Sequence, residues 1–116
     1  PFEKDTITAC ATPPGTSALA LIRLSGPGSI SIAEKLSGKQ LPPRSPLPTH
    51  LCLQETILDE VVITAWPKPK SYTGEDLVEM SCHGNPIIVQ SILQAICTLG
   101  ARPARPGEFT ERAFLN

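Results

Sequence analysis

Among the residues able to do chemistry, Arg23 and Glu79 stand out because each is a charge in the middle of a strand candidate, 18–24 and 75–82. Read as strands, these runs put Arg23 on one face with Leu19 and Leu21. Glu79 then shares a face with Leu77, while Val78, Met80 and Cys82 point the other way. A charge held among aliphatic side chains loses several kcal/mol of hydration unless something compensates it. Two compensations are open. The residues pair with each other or reach water near the strand ends; alternatively they meet a polar ligand in a cleft with apolar walls.

Three other features compete. Thr12-Pro13-Pro14-Gly15-Thr16-Ser17 is a stiff loop with small hydroxyl residues, but with one glycine and no lysine it is not a phosphate-cradling loop. His83 follows Cys82 at a strand-to-helix turn. Neighbours on a strand face opposite ways, so a capping or turn-stabilising role is expected for His83 rather than a Cys-His nucleophile. Ser71-Tyr72-Thr73-Gly74-Glu75-Asp76 is a loop entering a strand, and Tyr72 can stack on a planar ligand or cover the core edge. With neither a phosphate loop nor an evident metal site nor a base-nucleophile pair, catalysis by this chain alone is not expected.

The elements that must position these groups can be read in turn. Residues 6–12 and 18–24 suggest strands, and the near-continuous apolar run of the second implies cover on both faces. A helix is expected over 29–36, with Ile32, Ala33 and Leu36 on one face, Ser29 as N-cap and Gly38 as stop. Residues 39–48 hold Pro42, Pro43, Pro46 and Pro48, and so predict an extended surface connector. Strands at 51–53 and 57–66 form a hairpin around Gln54-Glu55-Thr56, ended by Pro67-Lys68-Pro69-Lys70. After the strand at 75–82, Asn85 caps a helix opened by Pro86 and running to about Leu99, with Ile88, Ile92, Ala95, Ile96 and Leu99 as its apolar stripe.

Residues 102–105 predict an edge strand interrupted by Pro103. Pro106-Gly107 then opens a helical segment, with Ala113 and Phe114 one turn after Phe109 and Thr110. No C-cap residue follows, so this helix is expected to continue past Asn116. The whole reads as α+β, a mixed sheet packed with helices, with residues 1–116 forming one domain of a longer protein.

Composition bounds the function. The 116 residues are 41% apolar, enough for one core, but only 4% aromatic, so that core is aliphatic. Ten basic against eleven acidic residues give a net charge of −1, which is no footprint for gripping a polyanion. Cys10, Cys52, Cys82 and Cys97 include no close pair, so neither a zinc site nor a redox motif is indicated. Reduced thiols in a cytoplasmic protein are expected, with no signal peptide and no apolar run long enough to span a membrane.

Taken together, several blocks carry a family resemblance. Asp5-Thr6-Ile7 with Ala11-Thr12-Pro13-Pro14-Gly15 and Ile22-Arg23-Leu24-Ser25-Gly26 resembles the start of the tRNA modification GTPase family MnmE/TrmE. So do the Ser71-to-Asp76 loop with Glu79, His83-Gly84 and Pro86, and the closing Ala104-Arg105-Pro106-Gly107-Glu108-Phe109-Thr110-Glu111-Arg112-Ala113-Phe114-Leu115-Asn116, the most specific block.

The resemblance implies a fold like the tetrahydrofolate-binding fold of the glycine-cleavage T protein, mediating homodimerisation and binding a reduced folate such as 5-formyltetrahydrofolate near the dimer interface. In that family a helical domain follows, with a Ras-like GTPase domain inserted in it, and GTP, magnesium and potassium belong there rather than to these residues. With the flavoprotein MnmG, the full protein modifies carbon 5 of the wobble uridine in tRNA, with the folate as one-carbon source and tRNA contacted mainly by other parts. The family's folate-contacting arginine and glutamate correspond to Arg23 and Glu79, and a contacting lysine falls beyond Asn116.

On that reading Glu79 accepts two hydrogen bonds from the 2-amino group and ring N–H of a pterin. Arg23 binds a carbonyl or carboxylate of the ligand, or holds Glu79 in place. Two departures from the family pattern stand beside this. Thr16-Ser17-Ala18-Leu19-Ala20 replaces a glycine-rich, arginine-containing segment, and Asn85 replaces a glycine, leaving less room at the backbone. The alternative is therefore a dimerisation module that has lost folate binding. A two-fold interface is expected, an exposed strand edge being a natural place for it.

Overall fold

Among the described residues, nine elements follow one another: β1 (Ile7–Cys10), β2 (Leu19–Ser25), α1 (Ser29–Ser37), β3 (Leu47–Leu53), β4 (Thr56–Trp66), β5 (Leu77–His83), α2 (Pro86–Thr98), β6 (Arg102–Pro103) and α3 (Glu108–Leu115). The computed structural model describes residues 5–12 and 18–116. The Pro13-Pro14-Gly15 breaker and Thr16-Ser17 lie outside the described residues, as does the polar start at 1–4. One six-stranded sheet forms in the order β3-β4-β5-β2-β1-β6. Among the pairs formed by these described strands only β1–β6 is parallel, so the sheet is mixed and the class is α+β, as expected.

One face of the sheet carries the core. Ile22, Leu24, Ile63, Val78 and Met80 point to this face and pack against Ile32, Ala33 and Leu36 of α1 and Ile92, Ala95 and Ile96 of α2. Residues opposite each other on paired strands share a face, so the register places Val62, Thr64, Leu21, Arg23, Glu79 and Ser81 on the other side. This face is half open: Leu19 is 60% and Val62 40% exposed. The double cover expected for residues 18–24 is thus corrected. Ala20, Ile22 and Leu24 face the helices, while Leu21 and Arg23 are only half-buried on the far side. No helix of the described residues is long and apolar enough to cross a membrane.

Local chemistry explains most boundaries. α1 ends where Gly38 turns left-handed (φ 70°) and its N–H bonds the Glu34 carbonyl at 2.8 Å. Ser29 is not its N-cap; Gly28 is. Ser29 instead sits inside the helix, and its Oγ, buried, reaches the carbonyls of Gly26 (3.0 Å) and Asp76 (2.8 Å), so it ties the turn to the strand-entry loop. Asn85 does cap α2, its Oδ1 accepting from the Ile87 N–H at 2.8 Å, with Pro86 in the first turn.

β3 begins at Leu47, inside the expected connector. Pro48 is tolerated there because β3 is an edge strand, whose outer N–H groups need no partner. Pro103 lies on the other edge; the N–H groups of Arg102 and Ala104 on either side of it donate to the carbonyls of Thr6, just before β1, and Thr8 within it.

Candidate functional site

Arg23 and Glu79 are direct cross-strand partners on the half-open face. Arg23 Nε donates to Glu79 Oε2 at 2.7 Å, with the two side chains 31% and 25% exposed. Each charge therefore supplies the compensation the other needs, and neither leaves water completely. The second carboxylate oxygen, Oε1, accepts from the Trp66 indole N–H at 3.2 Å. Among the described residues, the side-chain bonding of Arg23 uses only Nε, which leaves its terminal N–H groups available as donors.

The pair straddles two clefts. Glu79 lines one of about 420 Å³ together with Trp66, Lys70 and Tyr72. Arg23 lines another of about 490 Å³ with Cys10, Arg105, Phe109 and Thr110. Tyr72 links the two: its ring centroid lies 5.7 Å from the Arg23 guanidinium carbon, and its hydroxyl is 3.2 Å from Thr110 Oγ1 of α3. Clefts of about 450 Å³ near His83 and 500 Å³ along α2 are as large, so chemistry rather than size selects the Arg23–Glu79 pair.

The Tyr72 loop is fastened from below and from the side. The Ser25 and Thr73 hydroxyls are 2.6 Å apart, and Ser25 Oγ also donates to Glu75 Oε1 at 2.7 Å. Gly74 (φ 77°) packs so close to the end of α3 that a Cβ there would stand 2.8 Å from Asn116 Cβ. Arg112 of α3 reaches Glu75 at 3.1 Å, Asp5 at 2.9 Å and Glu108 at 3.3 Å. Arg102 holds Glu108 through its two terminal guanidinium nitrogens, at 2.9 and 2.6 Å, and pairs with Asp5 through Nε.

The helix expected from Phe109, Ala113 and Phe114 does form, but Glu108 and Arg112 are the residues it buries, 2% and 1% exposed, while Phe114 is 89% exposed. The Arg102 guanidinium holds Glu108 down to about 2 against burial and lowers Asp5 to about 2 as well. Burial opposes the charge on Arg112, yet Glu75, Asp5 and Glu108 hold its proton more tightly than usual. Arg112 Nε is buried with no partner among the described residues.

His83 stabilises a strand junction rather than capping α2. Its backbone N–H and its Nδ1 each meet a carboxylate oxygen of Asp59 at 2.8 Å. Burial raises the Asp59 carboxyl, but these contacts outweigh it and the net shift is downward. Cys82 turns the opposite way into the core, where burial, then the charge of Asp59, pushes its thiol up to about 11. A thiol held so far above neutrality is a poor nucleophile.

Sequence reasoning missed Trp66 as a partner of Glu79 and missed the Glu108–Arg112 cluster. The only signal for the latter is an acid-base pair four residues apart on a short helix, which is also the commonplace pattern of a solvated face.

Comparison with known proteins agrees with the arrangement of these blocks. The family described as "GTP-binding protein TrmE N-terminus" matches residues 6–116. The tRNA modification GTPase MnmE of Opitutus terrae is 52% identical over 119 residues, covering 97% of this chain and 25% of that protein. That of Francisella tularensis subsp. tularensis is 49% identical over 115 residues, covering 99% and 26%. The chain thus spans about a quarter of the length of these curated relatives. With a family match that runs through Arg23, Glu79 and the whole of α3, this chain belongs to the TrmE N-terminal family.

Proposed function

We propose that this chain is the reduced-folate-binding and dimerising part of a GTPase that modifies tRNA. In the full protein, acting with the flavoprotein MnmG on carbon 5 of the wobble uridine, the folate supplies the one-carbon unit and GTP is hydrolysed elsewhere in the chain. The names of the relatives support the tRNA-modifying GTPase. The observation that carries the folate reading is the Arg23–Glu79 pair at the rim of two clefts, with the Glu79 carboxylate held between Arg23 and Trp66. A carboxylate so held retains a lone pair on each oxygen, matching the adjacent 2-amino and ring N–H donors of a pterin. Arg23 keeps its terminal N–H groups for a ligand carbonyl or carboxylate.

The exposed Leu19 and Val62 on the same half-open face favour a contribution to dimerisation. They are equally compatible with a dimerisation module without folate, so binding must be measured. Titration calorimetry of 5-formyltetrahydrofolate into the wild-type protein, extended past Asn116 far enough to carry the lysine that the resemblance implies, is expected to show saturable binding. Glu79→Gln is expected to weaken it about 10- to 100-fold, the range for losing a charge-assisted hydrogen bond of about 1.5–3 kcal/mol. Equal affinity in the two proteins removes the pterin assignment.

A further inference from the structure

Resting on that folate reading, we propose that Trp66 and Tyr72 are specificity residues of the site: they wall the slot that takes the flat heterocycle, and Trp66 also positions Glu79 to read its donor edge. The chain has one tryptophan and one tyrosine, and both line the Glu79 cleft. Neither belongs to the aliphatic core cluster, and Tyr72 is 53% exposed. In a chain this poor in aromatics, two rings that do not build the core stand beside one carboxylate. Aromatic faces stack on planar heterocycles whatever their substituents, and a carboxylate supplies the selection that stacking lacks. The cleft, about 420 Å³, falls within the roughly 300–1,000 Å³ of small-molecule sites.

The rings are held before any ligand arrives. The Arg23 guanidinium lies over one face of the Tyr72 ring, which leaves the other face for a ligand, the Tyr72 hydroxyl meets Thr110, and its loop is fixed through Thr73 to Ser25 and through Glu75 to Arg112. The Trp66 indole bonds one oxygen of Glu79 while Arg23 bonds the other, so the carboxylate plane is set from both sides. Preorganisation of this kind spares the ordering that binding otherwise requires.

Trp66, as the sole tryptophan, reports on the slot directly. Its emission is measured during titration with 5-formyltetrahydrofolate, corrected against free tryptophan at the same ligand concentration, in parallel with calorimetry. The emission change is expected to follow the calorimetric isotherm with the same dissociation constant. Tyr72→Ala is expected to weaken binding about tenfold or more, and Tyr72→Phe to restore most of it, as stacking predicts. Trp66→Phe keeps a ring but removes the N–H donated to Glu79. It is expected to reduce the preference for 5-formyltetrahydrofolate over its 2-desamino-2-methyl analogue, a ratio that a merely structural loss leaves unchanged.

Calorimetric binding with silent Trp66 emission overturns the slot and leaves the folate reading standing. Unchanged affinity in Tyr72→Ala, or an unchanged analogue ratio in Trp66→Phe, also overturns it. Absence of calorimetric binding to the wild-type protein extended past Asn116 sinks the folate reading and the slot with it.

Discussion

Arg112 and Arg23 are both paired with glutamates, yet truncating them should have unequal consequences. The side chains of Arg112 and Glu108 are 1% and 0% exposed, so Arg112→Ala strips the largely buried Glu75 of its ion-pair partner and leaves Glu108, with no water to replace the lost contact, to Arg102 and Arg105 alone. Breaking such a buried set costs about 3–5 kcal/mol. Arg23 and Glu79 keep a quarter to a third of their side-chain surface in water. Arg23→Ala is therefore expected to cost about 1 kcal/mol or less. Urea unfolding followed by Trp66 emission measures both, and equal losses would contradict burial as the governing term. The two pairs also differ in how legible they were. A charge amid a strand of aliphatics contradicts its surroundings and draws the eye, as Arg23 and Glu79 do. Glu108 and Arg112 lie among polar residues on a short helix, and their burial depends on Asp5, Glu75 and Arg102 arriving from elsewhere. The Trp66 contact depends on the β4–β5 register, which sets Thr64 opposite Glu79 and is not encoded locally.

At the scale of elements, the β3–β4 turn is the least comfortable piece of local chemistry. Gln54 (φ 49°) and Glu55 (φ 69°) are both left-handed, and neither is a residue that favours this region. Two consecutive positive φ angles are the geometry of a tight hairpin that prefers Asn-Gly. The double change Gln54→Asn, Glu55→Gly is expected to stabilise the chain by about 1 kcal/mol, since left-handed backbone costs roughly 1–2 kcal/mol per ordinary residue. Both positions are exposed, so little else is lost. A higher urea midpoint with unchanged slope supports this; an equal or lower midpoint opposes it. The hairpin itself was readable from the hydrophobic runs on each side, and α2 from its cap, its proline and its stripe. The start of β3 at Leu47 was not, because proline forbids only the inner positions of a sheet and nothing in residues 39–48 says which strand will lie at the edge. The open far side of β2 was also hidden, since an apolar run reads alike whether one face or two are covered.

For the molecule as a whole, the ion network joins residues as far apart as Asp5 and Arg112, 107 positions in sequence, and so binds the first described strand, the Tyr72 loop and α3 into one unit. That makes overall stability answer to acid in a defined way. Glu108 falls from 4.5 to about 2 and Asp5 from 3.8 to about 2 in the fold, first of all through hydrogen bonds from Arg102, and Asp59 is lowered as well. Between those values the unfolded chain binds protons that the folded chain does not, so stability must fall as pH falls. The contribution is fully present above about pH 5 and disappears as the pH approaches 2. Each such group adds about 1.4 kcal/mol per pH unit to the slope while only the unfolded form is protonated. The arginines stay charged throughout, so protonating Glu108 leaves Arg112 buried with less to balance it. Urea unfolding of the wild-type chain at steps from pH 7 to pH 2 is expected to give a plateau followed by a steep decline. Glu108→Gln is expected to begin less stable, yet to decline less steeply by about 1.4 kcal/mol per pH unit, because one titrating group is gone. Parallel declines in the two proteins would show that Glu108 does not link this fold to pH.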